Sequence, residues 1–308
     1  MSDYKEITLT PSSNSIISLD HVTKKYGTAR GITDITLDIQ KGEVFGFLGP
    51  NGAGKTTTIR VLLDLIRPTS GHASIFGLDT QKDTIKIKKR VGYLPGEFAL
   101  YPNLTGGQIC LYFANLRGGL PWENITKIAK RMDVDLGKKF RQYSRGNKQK
   151  IGIILAFMHK PELLILDEPT SGLDPLIQIE FYNMLKEARE AGSTVFFSSH
   201  ILNEVEKICT RVGIIREGEL VKVSNLQELI GLKVHHLEIT FATLPPIEEL
   251  QKIPGVDEAK VKEGTTVIIH VKPSSLDGLV KEIAKYNVTN LISLEPSLEE
   301  VFLHFFKK

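Results

Sequence analysis

Residues 49 to 57 read G-P-N-G-A-G-K-T-T, and they fit the pattern G-x-x-x-x-G-K-[ST]. Gly49, Gly54, Lys55 and Thr56 take the four specified places, with Pro50, Asn51, Gly52 and Ala53 between them and Thr57 after them. The apolar run from Val44 to Leu48 precedes the motif, and a second apolar stretch from Ile59 to Ile66 follows it. Strand, glycine loop and helix in that order are the setting a phosphate-binding loop needs. The glycines lack Cβ atoms, so the backbone can bend tightly and turn its N–H groups onto an anion. The helix behind them aims its free N–H groups and the positive end of its dipole at the same point. Lys55 adds a full charge for β- and γ-phosphates, and the Thr56 hydroxyl can ligate Mg²⁺.

Working outward, 308 residues allow about two domains. Hydrophobic residues make up 41% and charged residues 24%, which is ordinary for a folded soluble protein. Cys110 and Cys209 are too few for a disulfide framework, so a reducing compartment is expected. No stretch reaches the roughly 18 apolar residues of a membrane helix, and the opening M-S-D-Y-K-E has no apolar core of a signal peptide. Work at a membrane therefore calls for another chain that spans it. A net charge of +3 is too small to argue for nucleic acid.

Residues 1 to 15 are polar and read as a mobile end. Residues 16 to 230 read as one α/β domain. Strand-like runs fall at 17–26, 32–39, 163–166, 194–198 and 212–215, and helical spacing falls at 177–190, which implies a mostly parallel sheet covered on both faces. A helical insert is expected over about residues 97 to 160, from the spacing of Ile109, Tyr112, Phe113 and Leu116 and the apolar run Ile151 to Met158. From 231 to 308 a small α+β domain follows. Its strands are expected at 234–241, 259–262, 265–271 and 291–294, and its helices at 247–252, 276–286 and 297–306, the last with a capping box from Ser297 to Glu300. His235, His236, His270 and His304 are scattered there without metal-ligand spacing.

L-L-I-L-D-E at 163 to 168 is the second chemical signal. Four consecutive apolar residues fit a central parallel strand. Asp167 at its end can hold Mg²⁺ opposite Thr56, and Glu168 is placed to take a proton from an attacking water. In Y-S-R-G-N-K-Q-K at 143 to 150, Ser144 is a plausible N-cap for the apolar helix that follows. No acid lies between Asp135 and Glu162, so this second helix N-terminus is basic and suited to an anion.

Together these motifs resemble the ATP-binding subunits of ABC transporters: a P-loop ATPase core with a helical subdomain, here followed by the small α+β domain. Walker A corresponds to Gly49–Thr57 and Walker B to Leu163–Glu168. The family signature corresponds to Tyr143–Asn147, the D-loop to Ser171-Gly172-Leu173-Asp174, and the H-loop to Ser199-His200. The ending L-E-P-S-L-E-E-V-F-L at 294 to 303 resembles the branch that serves ABC-2 type exporters of drugs, antibiotics, lipids or ions. Two departures stand out. Gly96 then Glu97 occur where the family expects Gln, and Arg145 and Asn147 replace small or amide residues of the signature.

The resemblance implies that Tyr26 stacks on adenine, that Lys55 and the loop amides hold the phosphates, and that Thr56 and Asp167 position Mg²⁺. It further implies that Glu168 polarises water, that His200 contacts the γ-phosphate, and that Ser144 and Gly146 complete the site of a second ATPase subunit while Asp174 links the two sites. The expected partners are that second subunit, identical or not, and membrane-spanning permease subunits, at the cytoplasmic face of the membrane and without nucleic acid. The alternative is a soluble non-transport ABC ATPase of the translation or DNA-repair type. Such proteins carry two cassettes, a long coiled coil or zinc-binding cysteines, and this chain has one cassette, no extended heptads and two lone cysteines.

Overall fold

The computed structural model describes residues 14–226 and 235–294. The chain divides into two compact units, Met1–Ser224 and Asn225–Lys308.

In the first unit, β3 (Val44–Leu48), β6 (Val91–Leu94), β7 (Leu163–Asp167), β8 (Thr194–Ser199), β9 (Arg211–Arg216) and β10 (Glu219–Asn225) form one sheet in the order β10-β9-β3-β8-β7-β6. The pairs β3–β8, β3–β9, β7–β8 and β6–β7 are parallel. Every residue of β3, β7 and β8 is buried, as continuous apolar runs require when helices cover both faces. The register pairs Leu48 with Ser199 and Asp167 with Ser198. The residues that follow these strands, beginning with Gly49, Glu168 and His200, therefore emerge at one end of the sheet.

The sequence points to a single, mostly parallel sheet, and here the structure adds a correction. β1 (Ser15–Tyr26), β2 (Ala29–Gln40), β4 (Ser70–Ile75) and β5 (Leu78–Asp79) form a separate sheet in the order β2-β1-β4-β5, antiparallel throughout. Its apolar residues Ile17, Leu19, Ile35, Leu37 and Ile75 share one core with Phe45, Phe47 and Ile165 of the parallel sheet. β1 begins at Ser15, inside the segment expected to be mobile, and the Ser15 hydroxyl donates to the Ile17 carbonyl at 2.7 Å. Residues 1–13 lie outside the described residues.

The helical insert comprises α3 (Gly106–Leu116), α4 (Trp122–Arg131) and α5 (Arg145–Phe157). A capping box between Thr105 and Gln108 starts α3. Ile109, Ala114, Ile125, Ala129, Phe140, Ile151 and Ile154 make its own core. α1 (Lys55–Leu62), α2 (Thr84–Arg90), α6 (Pro175–Glu190) and α7 (Leu202–Ile208) complete the unit.

The second unit orders β11 (His235–Phe241), α8 (Ile247–Gln251), β12 (Val256–Glu263), β13 (Thr266–Val271), α9 (Leu276–Ile283) and β14 (Val288–Leu294). Its sheet runs β12-β13-β11-β14, antiparallel throughout, with Leu237, Ile239, Phe241, Ile269, Leu250, Leu279 and Ile283 in the core. Register brings His236 opposite His270, and their rings stack at 4.0 Å. The helix expected at 297–306 lies outside the described residues.

Candidate active site

Gly49 leaves β3 with its N–H donated to the Ser199 carbonyl at 3.2 Å. A Cβ on Gly49 would stand 2.4 Å from the Ile215 carbonyl oxygen, and one on Gly54 would stand 2.7 Å from Ile32 Cγ2. Gly54 also adopts φ 111°. These two positions thus exclude any side chain, and the loop lies close against its neighbours. α1 starts at Lys55 without a side-chain cap, leaving its first N–H groups for a ligand.

Lys55 is 5% exposed, and its Nζ donates to the carbonyls of Gly49 at 2.7 Å and Pro50 at 3.1 Å. The same ammonium lies 3.3 Å from Glu168 Oε1, and that oxygen lies 3.2 Å from His200 Nδ1. Exposure rises along this row from 5% at Lys55 through 26% at Glu168 to 42% at His200, so the site opens to solvent on the histidine side. Glu168 has φ 48°, a left-handed conformation for a non-glycine residue. Its N–H donates to Ser198 Oγ at 3.2 Å, which helps hold that backbone in place.

Asp167 is 1% exposed and has both oxygens engaged. Thr56 Oγ1 donates to Oδ2 at 2.7 Å, and Ser198 Oγ donates to Oδ1 at 2.5 Å. Thr56 and Asp167 are thus neighbouring hard oxygen donors at the foot of the phosphate loop. A Cβ built on Gly96 would lie 3.5 Å from Asp167 Oδ2, whereas Glu97 is exposed. The residue of that loop facing Asp167 is therefore the glycine. Burial and the charge of Asp167 push the Tyr93 hydroxyl up to about 12.

Of the sequence-derived residues, Lys55, Glu168 and His200 are joined by direct contacts, and Thr56 and Asp167 by another. The signature residues contact a different segment. Ser144 caps α5 by accepting from the Asn147 N–H at 3.2 Å. A Cβ on Gly146 would stand 2.4 Å from the Gly172 carbonyl oxygen, and Arg145 Nη2 donates to Ser171 Oγ at 3.0 Å. Asp174 caps α6 through the Ile177 N–H at 3.1 Å and lies 3.9 Å from Lys150 Nζ. Tyr26 ends β1 at 39% exposure, with Lys24 Nζ 5.4 Å from its ring centroid.

Sequence reasoning missed Ser198, Gln149 and Glu204. Gln149 Nε2 donates to the carbonyls of Glu168 at 3.4 Å and Pro169 at 3.0 Å, tying α5 to the strand end. Two hydroxyls at the end of the buried run Val195-Phe196-Phe197-Ser198-Ser199 were the available signal, because a buried strand seldom ends on polar groups without partners.

A deep glycine loop on a helix N-terminus, with a lysine, an Asp–Thr pair and a strand-end glutamate, defines a P-loop nucleoside triphosphatase. A family model described as ABC transporter matches residues 32–171. The chain is 34% identical over 306 residues to linearmycin resistance ATP-binding protein LnrL of Bacillus subtilis (strain 168), covering 94% of this chain and 97% of that protein. It is 40% identical over 293 residues to bacitracin transport ATP-binding protein BcrA of Enterococcus faecalis, covering 93% and 95%. Among solved structures, an ATP-binding subunit of an ABC transporter superposes with TM-score 0.64 at 28% identity, covering 70% of this chain and 92% of that one. A dimeric post-hydrolysis state of an ATP-binding cassette with ADP and Pi superposes with TM-score 0.62 at 26% identity, covering 68% and 98%. The chain belongs to the ABC transporter family as an ATP-binding, ATP-hydrolysing subunit. Among the described residues no helix is long and apolar enough to cross a membrane.

Proposed function

We propose that this chain hydrolyses ATP at the site built on Gly49–Thr57, Asp167, Glu168 and His200, as one of a facing pair of ATPase subunits that drive export of an antibiotic-like compound through a separate permease. The observation that carries the reading is the Glu168 carboxylate, in contact with both Lys55 and His200 at the open end of the phosphate loop. Lys55 exchanges the carbonyls of Gly49 and Pro50 for β- and γ-phosphate oxygens, and the amides of Pro50–Thr57 other than proline's surround them. Glu168 takes the proton of the water that attacks the γ-phosphorus, and His200 steadies the phosphate oxygens that gain charge. Tyr26, exposed at the end of its strand, stacks on the adenine.

Thr56 and Asp167 suit Mg²⁺, since both offer hard oxygens side by side and the ion leaves most of its shell to phosphate and water. Bound there, Mg²⁺ would neutralise charge developing between the β- and γ-phosphates. Ser144 and Gly146 complete the site of a second copy, through the N-terminus of α5. Residues 16–230 form the ATPase domain, and residues 231–308 form an accessory domain. The membrane partner docks on the apolar groove lined by Tyr93, Pro95, Phe98, Leu100, Phe113 and Leu155, where the helical insert meets the Gly96 loop. Export is supported by the likeness to LnrL and BcrA over nearly the whole chain.

Glu168→Gln is expected to lower ATP turnover by about 10²–10⁴-fold with nucleotide binding retained. Turnover at the parental rate would remove Glu168 from the chemistry. Purification of the tagged chain from membranes should recover a membrane-spanning protein with it, and recovery of ribosomes or DNA instead would overturn the transport reading.

A further inference from the structure

Glu168 and His200 sit on different segments, one after β7 and one after β8. The register of β7 with β8 brings both segments to one end of the sheet, and the two side chains meet there at 3.2 Å. Ser198 bridges the two strand ends, its hydroxyl donating to Asp167 Oδ1 and accepting the Glu168 N–H, and it does not reach the Glu168 or His200 side chain by these bonds. Close by on each arm, two hydroxyls converge on a single buried carboxylate, that of Glu204 on α7, which is 7% exposed. Thr170 Oγ1, two residues after Glu168, donates to Glu204 Oε1. Ser199 Oγ, the residue before His200, donates to Glu204 Oε2 at 2.5 Å. Ser199 also accepts the Ile201 N–H on its hydroxyl at 2.9 Å and the Gly49 N–H on its carbonyl at 3.2 Å. One carboxylate thus connects the arm carrying the general base, the arm carrying the histidine, and the first residue of the phosphate loop.

We propose that Glu204 is a positioning residue for ATP hydrolysis: through Thr170 and Ser199 it fixes Glu168 and His200 at the separation the reaction uses. The inference rests on the roles given above to those two residues. A carboxylate suits the task because it accepts from two hydroxyls at once and needs no donor of its own. Charge-assisted hydrogen bonds of this kind are short and directional. The competing explanation is that Glu204 merely holds the first turn of α7, near whose start it lies. That role concerns folding, and it would act alike whatever residue stood at 168.

The two explanations separate in steady-state ATP hydrolysis by the full chain. Thr170→Val removes one donor with little change of shape. It should lower kcat about tenfold with the KM for ATP within about twofold, since a small misplacement of a reacting group costs rate while the phosphate loop is untouched. Thr170→Ser keeps the hydroxyl and should regain most of the rate. Glu204→Gln should show the same split. If that chain does not fold, the Thr170 pair decides alone. In a Glu168→Gln background, Thr170→Val should change the residual rate by less than about twofold, because groups acting as a unit are not additive. An equal tenfold fall in both backgrounds, a raised KM at constant kcat, or equal rates for Thr170→Val and Thr170→Ser overturns the proposal. If Glu168→Gln itself turns over at the parental rate, the general-base assignment fails, and the Thr170→Val against Thr170→Ser comparison in the parental chain still judges the clamp.

Discussion

The phosphate loop and the signature turn are both helix N-termini with a close-packed glycine, yet they are built to different ends. At the loop, α1 has no side-chain cap, and two sets of side-chain contacts lie around it, one joining Lys55, Glu168 and His200 and one joining Thr56 and Asp167. At the turn, Ser144 caps α5, and the neighbouring contacts run to Ser171, Gly172 and Asp174. The described contacts of the turn include no reacting group beyond the Glu168 carbonyl that Gln149 holds. Under the proposed function, the first N-terminus is the reaction centre of its own chain and the second is the part lent to another copy.

Lys55→Ala strikes the first region and should have the largest effect. Removing a desolvated charge from its phosphate partner costs about 3 kcal/mol, so ATP affinity of the isolated chain should fall by about 100-fold, read by titration with a fluorescent nucleotide. Affinity within a few-fold of the parental value would break the contrast. Gly146→Ala strikes the second region. Its methyl would press on the Gly172 carbonyl, a backbone atom that cannot swing aside. The expected result is turnover lowered about tenfold, with single-chain ATP affinity unchanged, because the loop that binds is elsewhere. Equal loss of binding and turnover would mean the two regions are one site.

The loop was legible because its information is contiguous: nine residues, a strand before and a helix after. Walker B was legible for the same reason, as four apolar residues ending in Asp167 and Glu168. Ser198 and Glu204 were not, because their roles depend on strand register and on where α7 docks, neither of which has a local pattern. The antiparallel sheet escaped for another reason. β4 reads S-G-H-A-S-I, and only Ala73 and Ile75 of it are buried, too weak an alternation to announce a strand. Gly96 was only half legible, since the sequence shows a missing side chain but not that the glycine faces the buried Asp167 carboxylate.

The far end of α5 offers the smallest and most selective way to separate the two regions. His159, just past the helix, donates Nε2–H to the Val91 carbonyl of β6 at 3.2 Å, an oxygen that also accepts from Arg117 Nη2 at 3.2 Å. A carbonyl can only accept, so the proton of the neutral ring sits on Nε2. Nδ1 is then buried with no partner among the described residues. Acid must place its proton on that nitrogen, and burial, followed by the Arg117 charge, depresses His159 to about 4. The unfolded chain titrates near the ordinary 6.5, so below that pH it binds the proton first. The stabilisation is therefore complete above about pH 6.5 and is lost as pH falls toward 4. Discounted for a half-buried ring, the loss between pH 7 and 5 is about 1 kcal/mol. It falls on the joint between the end of α5 and β6. His159→Gln keeps a donor for Val91 but does not titrate, so its urea midpoint should drop less than the parental one between those pH values. Identical drops in the two chains would show that the imidazole does not set the acid sensitivity of this joint.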